Sequence, residues 1–173
     1  DLVRGDLGIS TSYSQPVMTV IMGRVDETAA LLILSLLIAT SIGILGGKGM
    51  LGSDLVHFLG ERYKTCAIDQ DNYNEYRGQR FDVLVNANGN SRRFWANSNP
   101  LEDFEVSTVS VYRSVFDFRF GTYIYVSSSD VYPEHGDPSR AREDGSIDAS
   151  RLSPYGFHKY LGEQIVRNVA KRY

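Results

Sequence analysis

The sequence predicts an α/β fold, an open, doubly wound, mainly parallel sheet with helices on both faces. Three observations carry this reading. Short apolar runs alternate with helix-like segments along most of the chain. Several of those runs are apolar throughout rather than at every second residue, which suits parallel strands covered on both faces. A glycine-rich turn joins one run directly to the helix that follows it.

The elements follow in order. Residues 16–23, "PVMTVIMG", are β-branched and bounded by Pro and Gly, and read as a buried strand. Residues 26–39, "DETAALLILSLLIA", read as a helix with Asp26 as N-cap, apolar on every side and so buried or facing a partner. A strand at 42–45, a helix at 50–62 and a strand at 64–69 come next. "FDVLVNA" at 81–87 is a fourth strand, and 101–118 a helix weakened by its Val, Thr and Ser content. "TYIYVSS" at 122–128 is a fifth strand. The polar, Pro- and Gly-rich stretch 133–150 reads as a surface loop. Residues 154–173 close as a helix with Pro154 in the first turn.

Composition narrows the function. The 173-residue chain is 42% hydrophobic with a formal net charge of −3, a soluble globular profile with no general attraction to nucleic acid. Cys66 is the single cysteine, so internal disulfides and cysteine zinc sites are excluded, and a reducing cytoplasm is expected. Cys66 itself reads as a small buried strand residue. The three histidines are scattered and there is no acid cluster, so no catalytic metal is expected. The opening "DLVRGDLG" has neither a basic leader nor an initiator Met, and reads as a fragment or processed product. The apolar run 28–40 is shorter than the roughly 20 residues a bilayer requires, so a helix buried in protein is expected rather than a membrane span.

The chemistry begins at "GGKGMLG". Gly46, Gly49 and Gly52 form G-x-x-G-x-x-G at the mouth of a helix. Such a loop turns tightly, lets its backbone approach a diphosphate, and packs helix on strand with no Cβ between them. First-turn N–H groups, those of Met50 and Leu51 among them, and the helix dipole then receive the phosphates. Asp69 closes the next strand, where a carboxylate accepts ribose hydroxyls and repels a 2′-phosphate, favouring NAD. Lys48 inside the loop could attract phosphate instead, which keeps NADP as an alternative. A Walker A loop is ruled out, because Gly49 rather than Ser or Thr follows Lys48. Asn86 and Asn88, at the end of the fourth strand, are further candidates to line the cofactor cleft. The loop at 90–95, "NSRRFW", follows that strand at the same mouth.

Downstream, Tyr155 and Lys159 stand four apart on one helical face. Taken together, "GGKGMLG", "AID", "DVLVNANG", "YVSSSDVY" and "SPYGFHKYLGEQ" resemble the extended short-chain dehydrogenases/reductases, the NAD-dependent epimerase/dehydratase family, from about residue 41 to 173. The resemblance implies a Rossmann-like fold with Tyr155 as the acid/base. Lys159 would favour the phenolate and hold the nicotinamide ribose. Ser128, three before Val131, would position the reacting oxygen, with Ser127 or Ser129 in its place if the register differs by one. The family's commonest substrates are nucleotide sugars, so the implied partner is a small molecule, with a homo-oligomer as a further expectation.

The chain departs from that family in three places. Asn88 replaces a small residue. One strand and helix are missing or reduced between Asp69 and Phe81. The chain also stops before most of the C-terminal substrate lobe. Residues 1–41, a strand plus an apolar helix, then form an extension before a dinucleotide-binding domain at 42–173. They read as the tail of an upstream module, or as a rearranged piece, since "VDETAALLILSLL" resembles the family's C-terminal helix that starts V-D-D-x-A. Residues 16–45 would make a right-handed strand–helix–strand crossover. The alternatives to an oxidoreductase, epimerase or dehydratase are a cofactor-sensing or scaffolding module without turnover, and a membrane-tethered protein using 28–45. His158, beside Lys159, is expected to face solvent or to stand behind the site rather than act as a base, and His57 to lie at a packing boundary.

Overall fold

The computed structural model describes residues 7–10, 13–25, 40–90, 92–134 and 141–170. The chain separates into two compact units, Asp1–Ala39 and Thr40–Tyr173.

In the first unit, residues 17–25 are helical (α1), which corrects the strand expected at 16–23. Pro16 begins the turn, its carbonyl accepting from the N–H groups of Thr19 and Val20 at 3.0 and 3.2 Å. Proline suits a helix start because its fixed φ is already helical and its missing N–H would have had no partner. Within this stretch only Val17 and Val20, three apart, are half-buried, so the side chains follow a helical period despite their β-branching. Among the described residues of this unit, pairing is confined to one antiparallel bridge, Ile9 with Pro16. The strand–helix–strand crossover expected over 16–45 is therefore not formed. The helix expected at 26–39 lies outside the described residues. Among those that are described, no helix is long and apolar enough to cross a membrane.

The second unit is a four-stranded parallel sheet with strand order β2-β1-β3-β4. Its strands are β1 (Ser41–Leu45), β2 (Lys64–Ile68), β3 (Arg80–Asn86) and β4 (Arg119–Tyr125). Register is fixed by Gly43 opposite Cys66 and Leu84, and by Val85 opposite Ile124. The pleat sends Ile42, Ile44 and Val85 to one face, where Leu55, Val56 and Leu59 of α2 (Met50–Gly60) cover them. Leu45, Ile68, Phe81, Leu84 and Phe118 fill the other face. Fully burying each such side chain contributes about 1.5–3 kcal/mol, which sets the register against a one-residue slip. Cys66 lies in β2 but is half-buried rather than enclosed.

The β2–β3 crossover must pass over β1 in a short span, with only the four-residue helix α3 (Tyr73–Tyr76) inside it. Asp117 fastens it. Its carboxylate accepts from the Tyr73 hydroxyl at 3.1 Å and from Arg77 Nε at 2.9 Å, and its carbonyl accepts the Gly78 N–H at 2.7 Å. The Tyr73 ring meets Phe118 edge-on at 5.1 Å. This clamp stands where the reduced strand and helix were expected.

On the same side of the sheet, α4 (Arg93–Ser98) occupies part of the stretch expected to be a loop. Pro100 then opens α5 (Pro100–Phe104), which continues through a π-turn at Glu105–Val109 into α6 (Ser110–Asp117). Long helices interrupted by one π-turn often bend at a functional site. Here the turn buries Ser107 and Thr108, and the Thr108 hydroxyl donates to the His158 carbonyl at 3.0 Å. That bond ties the turn to α7 (Pro154–Asn168). β4 begins and ends three residues before the expected 122–128, because Arg119 and Phe120 pair with Arg80 and Phe81. Val126, Ser127 and Ser128 thus leave the ladder at its carboxyl end, where ligands meet an open α/β sheet.

Candidate functional site

The glycine loop leaves β1 with Gly46 at φ +75°, a conformation that disfavours a side chain. The Gly46 N–H donates to the Ile68 carbonyl at 2.8 Å, joining the loop to the end of β2. Gly52, buried in the first turn of α2, is the tighter constraint, since a Cβ there would lie 1.9 Å from the Gly46 carbonyl oxygen. Gly49 caps α2 without any side-chain hydrogen bond, and no acid stands in the first turn. The amides of Met50 and Leu51 are therefore unanswered by side chains at the positive end of the helix dipole, which is an anion-binding arrangement.

Beside this loop opens a cleft of about 670 Å³ whose lining includes Lys48, Asp69, Asp71, Asn74, Asn88 and Arg113. Asp69 stands at the loop itself, accepting the Lys48 backbone N–H at 2.9 Å. The Lys48 ammonium turns away to Asp71 at 2.8 Å. That hydrogen bond and charge raise the ammonium above its ordinary value. Asn88 lines the cleft as expected, but Asn86 does not. Asn86 is wholly buried beneath it; its amide donates to the Tyr123 hydroxyl at 2.8 Å, and its oxygen accepts the Asn88 N–H at 3.0 Å. Asn86 shapes the turn that presents Asn88 rather than facing a ligand.

The other three site residues, Ser128, Tyr155 and Lys159, are not in the lining of this cleft; they belong to α7 and the turn after β4. Ser153 caps α7 by accepting the Gly156 N–H at 3.2 Å, and Pro154 follows in the first turn. The buried face of α7 then carries Tyr155, Gly156, His158, Lys159 and Gly162. Gly156 lets the helix approach the turn after β4, because a Cβ there would be 2.2 Å from the Asp130 carbonyl oxygen. In that turn the Ser128 side chain accepts the Asp130 N–H at 3.2 Å, and its polarity favours the ionised form of the Tyr155 phenol. Burial outweighs that influence and, with the charges of Asp130 and Asp103, holds the phenol above its ordinary value. The neighbouring serines differ: Ser127 Oγ is buried with no hydrogen-bond partner, and Ser129 is exposed.

Lys159 is 5% exposed. Its ammonium donates to the carbonyls of Val126 at 3.2 Å and Asn88 at 3.4 Å, and sits 5.2 Å from the centre of the Tyr125 ring. Burial pulls it down from its ordinary value to about 8, against a weaker upward pull from Asp103. Lys159 reaches the cleft through Asn88, which lines the cleft with its own atoms and receives the ammonium on its carbonyl.

Two residues that no spacing in the sequence picks out also belong here. Asp103 is fully buried, and its carboxylate lies 2.6 Å from His158 Nδ1. His158 is 8% exposed, which removes the solvent-facing alternative. His57 is exposed on α2, away from the packing boundary expected for it. A smaller cleft of about 380 Å³ adjoins Ser127, Ser128, Tyr132, Glu143 and Arg167. Among the described residues no group of His, Cys, Asp and Glu is arranged to hold a metal ion.

Residues 42–173 match the sequence profile of the family described as "NAD dependent epimerase/dehydratase family". No curated protein matches the chain in sequence. Several solved structures share its fold. A dTDP-4-dehydrorhamnose reductase from Bacillus anthracis, in complex with NADP, aligns with TM-score 0.59 at 17% identity over 76% of this chain and 50% of its own. Pal from Bacillus thuringiensis aligns with TM-score 0.60 at 17% identity, over 78% and 53%. The UDP-Glc/GlcNAc 4-epimerase from Campylobacter jejuni aligns with TM-score 0.57 at 19% identity, over 77% and 50%. At these identities the likeness is one of fold. The chain spans about half the length of the solved structures it matches.

Proposed function

Because the chain belongs to the NAD dependent epimerase/dehydratase family, we propose that it binds NAD in the glycine-loop cleft and serves hydride and proton transfer at a hydroxyl or carbonyl of a small molecule. The substrate class proposed is a nucleotide sugar, and the compartment the cytoplasm. One observation carries the reading. Tyr155 shares a buried face of α7 with Lys159, whose ammonium donates to the carbonyl of Asn88, a residue that lines the cleft.

The residues present fit a dinucleotide. A Cβ at Gly52 would fill the cradle beside Gly46, and the uncapped first turn of α2 leaves amides directed at an anion. Met50 and Leu51 would hold the diphosphate, and Asp69 the adenosine ribose. The carboxylates of Asp69 and Asp71 both border that end, and the Lys48 ammonium is committed to Asp71. A 2′-phosphate would meet the Asp69 carboxylate and find Lys48 already paired, so NAD is preferred to NADP.

When bound, nicotinamide supplies the hydride acceptor or donor. Tyr155 stands above its ordinary value and so keeps its proton at neutral pH, ready to donate to a carbonyl oxygen. In the opposite direction only the phenolate, its proton first lost to solvent, takes the proton of a substrate hydroxyl. Ser128 holds the reacting oxygen beside the phenol. Lys159, at about 8, is an ammonium over most of the neutral range, a positive charge on the same buried helix face that favours the phenolate when it forms.

A second reading, a cofactor-binding module without turnover, is favoured by the cleft beside the glycine loop, whose lining does not include Ser128, Tyr155 or Lys159. One pair of measurements separates the two. Calorimetric titration should show NAD binding at least about 10-fold tighter than NADP, and no binding at millimolar NAD would sink both readings. With nucleotide sugars and NAD, Tyr155→Phe should keep cofactor affinity within about 3-fold and lose about 10²–10⁴-fold in turnover. Binding without turnover by the unaltered chain leaves only the module.

A further inference from the structure

The buried pair Asp103–His158 is used by none of the steps above, yet it lies directly behind them. Asp103 is fully enclosed, with His158 Nδ1 at 2.6 Å from one carboxylate oxygen and the Ser107 hydroxyl donating to the other at 3.4 Å. His158 is fixed independently of that bond. Its carbonyl accepts the Thr108 hydroxyl, and its ring meets Phe104 edge-on at 5.4 Å.

Ser107 connects this pair to Lys159. A Cβ at Gly89, where φ is +144°, would lie 2.5 Å from Lys159 Nζ and 3.9 Å from Ser107 Oγ. The ammonium and the serine hydroxyl thus border one small space, and that hydroxyl is a ligand of the Asp103 carboxylate. Among the described residues, Lys159 has no carboxylate at ion-pair distance. Its contacts are two carbonyls and the Tyr125 ring. A buried ammonium without compensation loses its proton easily, and Asp103 is the one charge that works against this at Lys159.

We propose that Asp103, oriented by His158 and Ser107, is a positioning residue whose buried carboxylate is the counter-charge that keeps Lys159 an ammonium behind Tyr155. The inference rests on the roles given above to Tyr155 and Lys159. A purely structural staple would need only two groups that hydrogen-bond; a counter-charge needs the negative charge itself. Other groups that face the cluster are Tyr125 on β4, with Glu163 acting on it, Tyr155 on the same helix as Lys159, and Asp130 acting on Tyr155.

The test reads Lys159 directly, without cofactor or substrate. In protein labelled with 13Cε-lysine, the resonances come from Lys48, Lys64, Lys159 and Lys171, and Lys159 is assigned by its loss in Lys159→Met. Its titration midpoint is expected near 8. Asp103→Asn should lower it by roughly half a pH unit or more. His158→Asn, whose amide can replace Nδ1 as partner of the carboxylate, should leave it at or above the starting value. An unchanged midpoint in Asp103→Asn overturns the proposal, and so does an equal fall in both variants, which would mark the pair as a staple. If Asp103→Asn does not fold, the double change Asp103→Asn with His158→Asn restores an amide pair without the carboxylate. The same fall is expected there, and its absence is equally decisive. Failure of NAD to bind would sink the proposed function and leave this lysine measurement standing.

Discussion

Lys48 borders the cleft from the glycine loop and Lys159 donates to Asn88 at its edge, and the fold treats their ammonium groups in opposite ways. The Lys48 side chain is 58% exposed and paired at 2.8 Å with Asp71, itself 81% exposed. Its proton is held more tightly than in a free lysine. Lys159 is buried, has only neutral oxygens and an aromatic face at contact distance, and releases its proton near 8. An ion pair in water shifts a lysine slightly because the solvent screens it, whereas burial acts on the charge without screening. The glycine loop is therefore shaped by backbone geometry, with surface charges as trim. Lys159 is an enclosed charge that the fold must stabilise.

The strongest way to break this contrast is Gly52→Val. A side chain there meets the Gly46 carbonyl at 1.9 Å, a backbone atom that cannot rotate aside. The loop must shift, and the amides of Met50 and Leu51 lose their aim. We expect NAD affinity to fall about 10³-fold, or ~4 kcal/mol, in a calorimetric titration. The Lys159 midpoint should stay near 8, since its neighbours lie on β4, α7 and the turn at Asn88. Unimpaired binding would remove the loop from the cofactor site. A moved lysine midpoint would show that the two ends are not independent.

The next effect is smaller and concerns stability. Lys159 has a folded value near 8 against 10.5 for the free side chain. Below pH 8 it is charged in both folded and unfolded chains, so the cost of burying the charge is fully present. Between pH 8 and 10.5 the folded protein releases the proton while the unfolded chain keeps it, and stability rises. Above 10.5 the cost is gone. Lys159→Met carries none of this dependence. Its advantage over the unaltered chain should be greatest at pH 7 and shrink by roughly 2–3 kcal/mol as pH passes 10.5, read from denaturant unfolding at each pH. A difference that does not vary with pH would mean that Lys159 is hydrated in solution.

The same contrast explains which parts of the molecule were legible in the sequence. The glycine loop was, because each feature there is local: Gly46, Gly49 and Gly52 constrain the chain within seven residues, and Asp69 closes the adjoining strand. The central strands were legible because Ile42, Ile44, Leu84 and Val85 must face cores on both sides. Residues 17–25 were not, since Val17, Thr19, Val20 and Ile21 favour strands by branching while Pro16 and the absence of paired neighbours favour a helix. Local preference and context disagreed there, and context won. At the acid/base end, Tyr155 and Lys159 were visible as an i, i+4 pair, and Ser128 through the family's spacing. Asp103 was invisible as a partner of His158, because the two are 55 residues apart in sequence. Only packing of α5 and the following π-turn against α7 brings them together. Asn86 was misplaced for a related reason: strand-end asparagines look alike until the fold assigns one to the floor and one to the cleft.

Lys48→Met is the mildest substitution and tests the surface half of the contrast alone. Both partners of its ion pair are largely in water, where such pairs contribute little, so the unfolding midpoint should not move measurably. With the ammonium committed to Asp71 rather than to a ligand, NAD affinity should change by no more than about 3-fold. NADP affinity should also stay within that range, because Asp69, which takes its hydrogen bond from the Lys48 backbone, remains in place at 2.9 Å whatever side chain residue 48 carries. Should NADP affinity instead fall tenfold or more while NAD is unaffected, Lys48 would be turning from Asp71 to a 2′-phosphate when cofactor binds. The preference for NAD would then be overturned, and the exposed lysine, not the carboxylate beside it, would be the residue that selects the cofactor.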